Sequence, residues 1–313
     1  MLSLLGGIFL GWSLGANHAA NCFGSAVASR MVRFWTAVVL CAVFVLIGAL
    51  LEGHAGIETL SGLTAFDLGQ AVAITIAVAL AVTGMTWFNL PVSTSQGVVG
   101  AILGIGFLNQ QLNLASLEKV LICWFGTPFC ALASACVLYT SLAVIYNRLR
   151  ISIFQADMLL RIGLIIAGSY AAYSLGANNV ANATAVFVGA GTLTVFQAAL
   201  IGGLSIAFGV LTYSRGVMET VGRKLVRLDP FSALIVVLAE ALTVHFNAII
   251  GVPISTTQAV IGAVLGVGLI KGANTINRKM LYGIFAGWFL TPALACFIAM
   301  CLEFAFHLKY IPH

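Results

Sequence analysis

The chain has 313 residues, of which 61% are hydrophobic and only 7% charged. No water-soluble domain of this size could bury so much apolar surface, so the composition describes a polytopic membrane protein. Its net charge of +5 is modest, and no nucleic-acid partner is expected from it.

The opening "MLSLLGGIFLGW" lacks the basic start and small-residue cleavage pattern of a signal peptide, and is taken as the beginning of the first span. Crossing a bilayer as a helix takes about 20 apolar residues. Windows that meet this follow at residues 34–51, 68–88, 120–146, 158–173, 195–213, 231–250 and 280–303. Two shorter windows, 92–107 and 254–270, come after Pro91 and Pro253 and are rich in glycine. They read as broken or re-entrant segments. Cys22, Cys41, Cys123, Cys130, Cys136, Cys296 and Cys301 lie almost wholly within apolar windows without CxxC spacing, and are read as small hydrophobes.

An internal repeat organises these windows. "SLGANHAAN" (13–21) recurs as "SLGANNVAN" (174–182), an offset of 174 − 13 = 161. "NLPVSTSQGVVGAILGIG" (89–106) recurs as "GVPISTTQAVIGAVLGVG" (251–268), and Pro91 to Pro253 is an offset of 162. Two motifs at nearly one spacing define a duplication, residues 1–145 and 146–313, within one membrane domain.

Charge decides how the halves sit, because Lys and Arg in short loops mark the cytoplasmic side. The segment "RGVMETVGRKLVRLDP" (215–230) carries Arg215, Arg223, Lys224 and Arg227, whereas its counterpart "EGHAGIETLSGLTAFD" (52–67) has no Lys or Arg. One connection earlier the relation reverses: Arg30 and Arg33 follow the first motif, and "GAGTLTV" (189–195) is uncharged. Equivalent loops therefore fall on opposite sides, the sign of an inverted-topology repeat with its substrate between the halves. A parallel duplication with accidental charge bias is the competing reading.

Residues four apart share a helix face, so Asn17 and Asn21 point together, as do Asn178 and Asn182. Each carboxamide offers donors and an acceptor, which suits a ligand met without water; hydrogen bonding between packed spans is the alternative use. Gly15 and Gly176 would allow each helix to break there. In "PVSTSQ" and "PISTTQ" a proline at a helix start precedes consecutive hydroxyls, Ser93, Thr94 and Ser95, and Ser255, Thr256 and Thr257. Unpaired N–H groups and the positive dipole end at such a start bind anions. Gln96 and Gln258 would contribute or brace the hairpins.

Gly97, Gly100, Gly104, Gly106, Gly262, Gly266 and Gly268 are expected to let helix backbones approach closely. Glu240, inside an apolar window without Lys or Arg, is a candidate to bind a coupling cation or carry a proton, with His245 sharing the task; a protonated Glu bonded within the bundle is the alternative. Asp67 and Asp229, at span starts 162 residues apart, read as helix caps.

Two "GANxxAN" motifs, each followed by "P[VI]ST[ST]Q", resemble the inorganic phosphate transporter (PiT) family, whose sodium- or proton-coupled members carry phosphate and include sulfate permeases. The resemblance covers essentially the whole chain. It implies an all-α membrane fold of inverted repeats with central re-entrant hairpins, and a substrate site of Asn17, Asn21, Asn178 and Asn182 with the hydroxyl runs 93–95 and 255–257. In the family an aspartate usually follows each motif asparagine, and here His18 and Asn179 stand in those places.

A carboxylate can hold Na⁺ or accept the proton that hydrogen phosphate retains, but it only repels sulfate. Loss of both therefore favours sulfate, with phosphate as the alternative. Entry of a dianion against an inside-negative potential costs about 4.6 kcal/mol per 100 mV, so uptake needs accompanying cations. Proton symport, with His18 and Glu240 titrating, is expected first and sodium symport second, and no metal or other cofactor. A passive anion channel is the rival from another class; an enzyme is not expected, since no metal spacing such as HExxH is present. The cell membrane is the expected location, and the sequence leaves a homodimer open.

Overall fold

The computed structural model describes residues 2–87, 92–149, 151–224, 228–272 and 278–309. Among them are ten α-helices and no strand: α1 (Leu5–Ala28), α2 (Phe34–Ser61), α3 (Leu68–Trp87), α4 (Thr94–Asn109), α5 (Leu114–Arg148), α6 (Ile153–Gly189), α7 (Val195–Lys224), α8 (Pro230–Ile249), α9 (Thr256–Lys271) and α10 (Arg278–Lys309). Seven of these, α2, α3, α5, α6, α7, α8 and α10, are long and apolar enough to cross a membrane. α1 has 24 residues, about 36 Å at 1.5 Å each, but its polar motif keeps it out of that apolar set.

α4 and α9 have 16 residues apiece, about 24 Å, short of a hydrocarbon core of about 30 Å. Each turns back along the helix before it. At the end of α4, Asn109 donates to the Ala65 carbonyl (3.0 Å) and exchanges amide hydrogen bonds with Gln70 at the start of α3. At the end of α9, Lys271 is paired with Asp229 at the start of α8. Both windows thus form the second arm of a helical hairpin. Asp67 and Asp229 cap the outgoing helices, accepting from the N–H of Gln70 (2.8 Å) and Ser232 (3.0 Å).

Several boundaries differ from the sequence reading. α2 continues ten residues past the apolar window ending at 51, and α7 runs to Lys224, so much of both presumed loops is helix. Nor do the asparagine motifs break their helices: α1 and α6 pass through them uninterrupted. The glycines there serve close approach instead. A methyl on Gly15 would overlap the Ile206 carbonyl of α7, and one on Gly176 would overlap the Val45 carbonyl of α2. Gly48 and Gly209 meet the carbonyls of Tyr173 and Trp12 in the same manner.

The packing is reciprocal. α1 lies against α7 and α6 against α2, making a four-helix centre in which every helix has a partner from the other half of the chain. Outside it, the α3–α4 hairpin packs on α10 and the α8–α9 hairpin on α5. Gly100 abuts the Pro292 carbonyl and Gly262 the Pro128 carbonyl, at prolines set inside α10 and α5. Those two helices turn Phe125, Phe129, Phe289 and Phe297 outward, which suits lipid.

Candidate functional site

The first turns of α4 and α9 meet inside the bundle. Ser93 caps α4 by accepting from the Gln96 N–H (3.4 Å), and Ser255 caps α9 by accepting from the Gln258 N–H (3.3 Å). Each helix also holds the residue preceding the other's cap: Ser95 Oγ donates to the Ile254 carbonyl (2.8 Å), and Thr257 Oγ1 to the Val92 carbonyl (3.4 Å). Pro253 precedes α9, while Pro91 lies outside the described residues. Among the described residues, the N–H groups of Thr94, Ser95, Thr256 and Thr257 have no hydrogen-bond partner, as the first turn of a helix requires. Two positive helix ends and four unpaired amides thus converge.

α6 contributes the buried wall. Asn178, Asn179 and Asn182 are each at most 2% exposed. Asn182 Nδ2 donates to Ser95 Oγ (2.8 Å) and to Asn179 Oδ1 (2.9 Å). Asn179 Nδ2 and Asn182 Oδ1 are buried without a partner among the described residues, a state that costs free energy unless something else fills it. Asn178 engages the backbone of Ile254 with both ends of its amide, Nδ2 to the carbonyl (3.0 Å) and Oδ1 from the N–H (2.9 Å).

α1 contributes the accessible wall. His18 Nδ1 lies 3.0 Å from Thr256 Oγ1, and Asn21 Nδ2 donates to the same hydroxyl at 3.4 Å. Asn17 is exposed, with its Nδ2 donating back to the Ser13 carbonyl (3.0 Å). Its counterpart Asn178 clamps a hairpin tip; Asn17 makes no such bond to Val92. Gln96 Oε1 and Gln258 Oε1 are buried without a partner among the described residues, and Thr94 is buried beside them.

Among the described residues, no carboxylate bonds to any of these side chains. Glu240 is buried on α8 with Oε2 unpaired among the described residues, and makes no bond to His245. His245 is instead joined to Glu52 of α2 (Nε2 to Oε2, 2.6 Å) and to the Tyr170 hydroxyl of α6 (Nδ1, 2.7 Å). Reading 52–67 as a loop hid Glu52, although the small residues Gly48, Gly53 and Gly56 carry the helix past it. Also unforeseen are two α5 side chains that hold the α8–α9 tip: Trp124 Nε1 donates to the Pro253 carbonyl (3.2 Å) and Lys119 Nζ to the Ile250 carbonyl (2.5 Å).

Chemically, the unpaired N–H groups at the two helix starts and Asn179 Nδ2 are donors that suit an anion, whereas the Ser95 and Thr257 hydroxyl protons are already given to backbone carbonyls. The unpaired carbonyl oxygens of Gln96, Gln258 and Asn182 suit a cation or a protonated oxygen.

Residues 14–158 and 152–299 each match the model of the phosphate transporter family. A putative phosphate permease of Methanocaldococcus jannaschii is 31% identical over 303 residues, covering 96% of both chains. The sulfate permease CysP of Bacillus subtilis is 29% identical over 310 residues, covering 96% of this chain and 86% of its own. A solved structure titled "The sodium-dependent phosphate transporter" superposes with a TM-score of 0.84, covering 98% of this chain and 100% of that one at 23% identity. The last likeness shows a common fold.

Proposed function

The chain belongs to the phosphate transporter family, an inorganic-anion transporter of the cell membrane, and from that premise we propose that it takes up a tetrahedral oxyanion by symport, with sulfate preferred to phosphate. One observation carries the preference: the two positions next to the motif asparagines are His18, bonded to Thr256 at the α9 start, and Asn179, bonded to Asn182. A fully deprotonated dianion needs donors and is repelled by carboxylates, and this cluster supplies donors without a carboxylate. Phosphate is the second reading, favoured by the name of the M. jannaschii relative.

The substrate site in this reading is built from Asn21, Asn179, Asn182, Thr94, Ser95, Thr256 and Thr257, with Ser93 and Ser255 capping. Asn178 holds the tip of the α8–α9 hairpin through Ile254, and Asn17, exposed on α1, is left free to meet the substrate. The two halves, 1–145 and 146–313, are related by inversion across the membrane. The reversed charge of equivalent loops and the reciprocal helix pairing support this.

Because a dianion must enter with cations, protons are the first coupling ion. Sodium is the second, supported by the unpaired buried carbonyl oxygens of Gln96 and Gln258. Uptake of labelled sulfate and phosphate into proteoliposomes under imposed pH or Na⁺ gradients tests the whole reading. Accumulation driven by a gradient is expected; accumulation driven by neither ion would exclude symport, and equilibration without accumulation would indicate a channel.

A further inference from the structure

We propose that Glu52, His245 and Tyr170 form the binding site of the coupling proton, placed at the outer end of the α8–α9 hairpin; this rests on the proton-symport reading above.

The three side chains come from α2, α8 and α6 and are in direct hydrogen-bond contact. They are enclosed but reachable, with the His245 and Glu52 side chains 19% and 31% exposed. The imidazole has a partner at each nitrogen in either protonation state. Neutral, it donates from Nε2 to Glu52 and accepts at Nδ1 from the Tyr170 hydroxyl. Protonated, it still donates to Glu52 and now donates from Nδ1 to the Tyr170 oxygen, since a phenol can accept as well as donate. One proton is therefore gained with no heavy-atom rearrangement, and the cluster changes from −1 to 0. Leu51, Phe246 and Ile249 beside it are outward-facing and apolar.

Among the described residues, the other ionisable side chain facing the pair is Tyr173 of α6, its ring edge-on to His245 at 5.4 Å. On α5, Lys119 reaches only the Ile250 carbonyl. On α9, Lys271 is held by Asp229 at the far end of the hairpin, and on α1, His18 is held by Thr256. Glu240 on α8 makes no bond to the cluster.

The position links the proton to movement. His245 is four residues from the end of α8, about 6 Å from the hairpin tip. That tip lies against Gly56 near the end of α2 and Lys119 near the start of α5, the end that the charge rule places outside. The same two helices, α2 and α6, hold the hairpin at the proton cluster and again at its tip, where Asn178 binds Ile254 and Gly56 meets Pro253. Protonation at the first contact so bears on closure at the second. The equivalent positions in the other half, Tyr213, Thr83 and Phe9, include no histidine or carboxylate, so the proton is sensed on one side alone.

The test is steady-state accumulation of labelled sulfate by proteoliposomes at a series of imposed pH gradients, with counterflow exchange measured at equal pH. Each coupled proton multiplies accumulation about tenfold per pH unit. His245→Gln and Glu52→Gln are expected to lose one such factor while keeping counterflow, which a merely structural pair would not produce. Tyr170→Phe, which keeps the ring, is expected to shift the pH of half-maximal uptake. Wild-type slope in both His245→Gln and Glu52→Gln overturns the site. A wild-type protein indifferent to the pH gradient overturns the proton-symport reading itself, and the site with it.

Discussion

Replacing Asn179 by Asp adds a negative charge to the candidate site while leaving its shape alone. Asn179 Oδ1 already accepts from Asn182 Nδ2 at 2.9 Å, and an aspartate oxygen takes that bond over. The buried Nδ2, which has no partner among the described residues, becomes a second oxygen. A dianion held by the present amide would have its centre about 5 Å from the new charge. At an effective dielectric of about 20 the repulsion is 332 × 2/(20 × 5), or about 6.6 kcal/mol. Even if water entry and partial protonation remove about two-thirds of it, some 2 kcal/mol remains, roughly a 40-fold loss of sulfate affinity. Hydrogen phosphate carries the same charge but can donate its proton to the carboxylate, so its loss is smaller. Competition binding to purified protein across pH should show the sulfate-to-phosphate preference falling by about tenfold or more. An unchanged ratio would refute the claim that missing carboxylates select the anion.

Gly176→Ala should lower the unfolding temperature in detergent, because its methyl would overlap a backbone carbonyl of α2 that cannot yield. A cost of about 1–3 kcal/mol or more is expected, against little for Gly97→Ala, whose nearest neighbour is a side-chain carbon at 3.5 Å; equal shifts would remove the packing argument. Asn178→Ala leaves the buried N–H of Ile254 unpaired, at about 1–3 kcal/mol, while its carbonyl keeps the bond from Ser95 Oγ. In a cysteine-free background, a cysteine at the buried Val252 should then label faster with a thiol reagent, and unchanged labelling would discount the clamp. Burial pushes the Asp229 carboxyl up, but hydrogen bonds from Lys271 and Ser232 outweigh it and hold the carboxyl below the ordinary range. A depressed folded-state value stabilises above the ordinary carboxylate range and is lost as pH falls through the lowered one. Asp229→Asn should therefore flatten the acid limb of stability against pH, and an acid limb identical to wild type would show that the pair contributes nothing.

The two helical hairpins and their capping acids were legible in the sequence because each rests on local chemistry: proline before a hydroxyl run, aspartate at a helix start. Two features were not. The Glu52–His245 contact joins residues 193 apart, and hydropathy drew the helix end just before Glu52, where small residues and not apolar ones continue the span. The difference between Asn17 and Asn178 was also beyond reach, since "SLGAN" is identical in both copies. One amide is exposed and the other locked to Ile254 because their hairpins sit differently against them, a property of tertiary arrangement. The glycines of the motifs were read for the wrong purpose, breaking a helix, when crowding between whole helices required them.

The exchange of partners between the halves sets an order of events during synthesis. α1 and α2 are made first, yet the helices they pack against, α7 and α6, leave the ribosome more than a hundred residues later. Until then His18 and Asn21 on α1 have neither the α9 start they bond to nor the glycine-fitted neighbour of their helix, and polar groups left in lipid seek other partners. The first five helices are thus a waiting assembly, completed only when the second five arrive. Long-range pairing of this kind slows folding, and the interval in which α1 stands alone is when the nascent chain is most open to capture by an insertion chaperone or a protease.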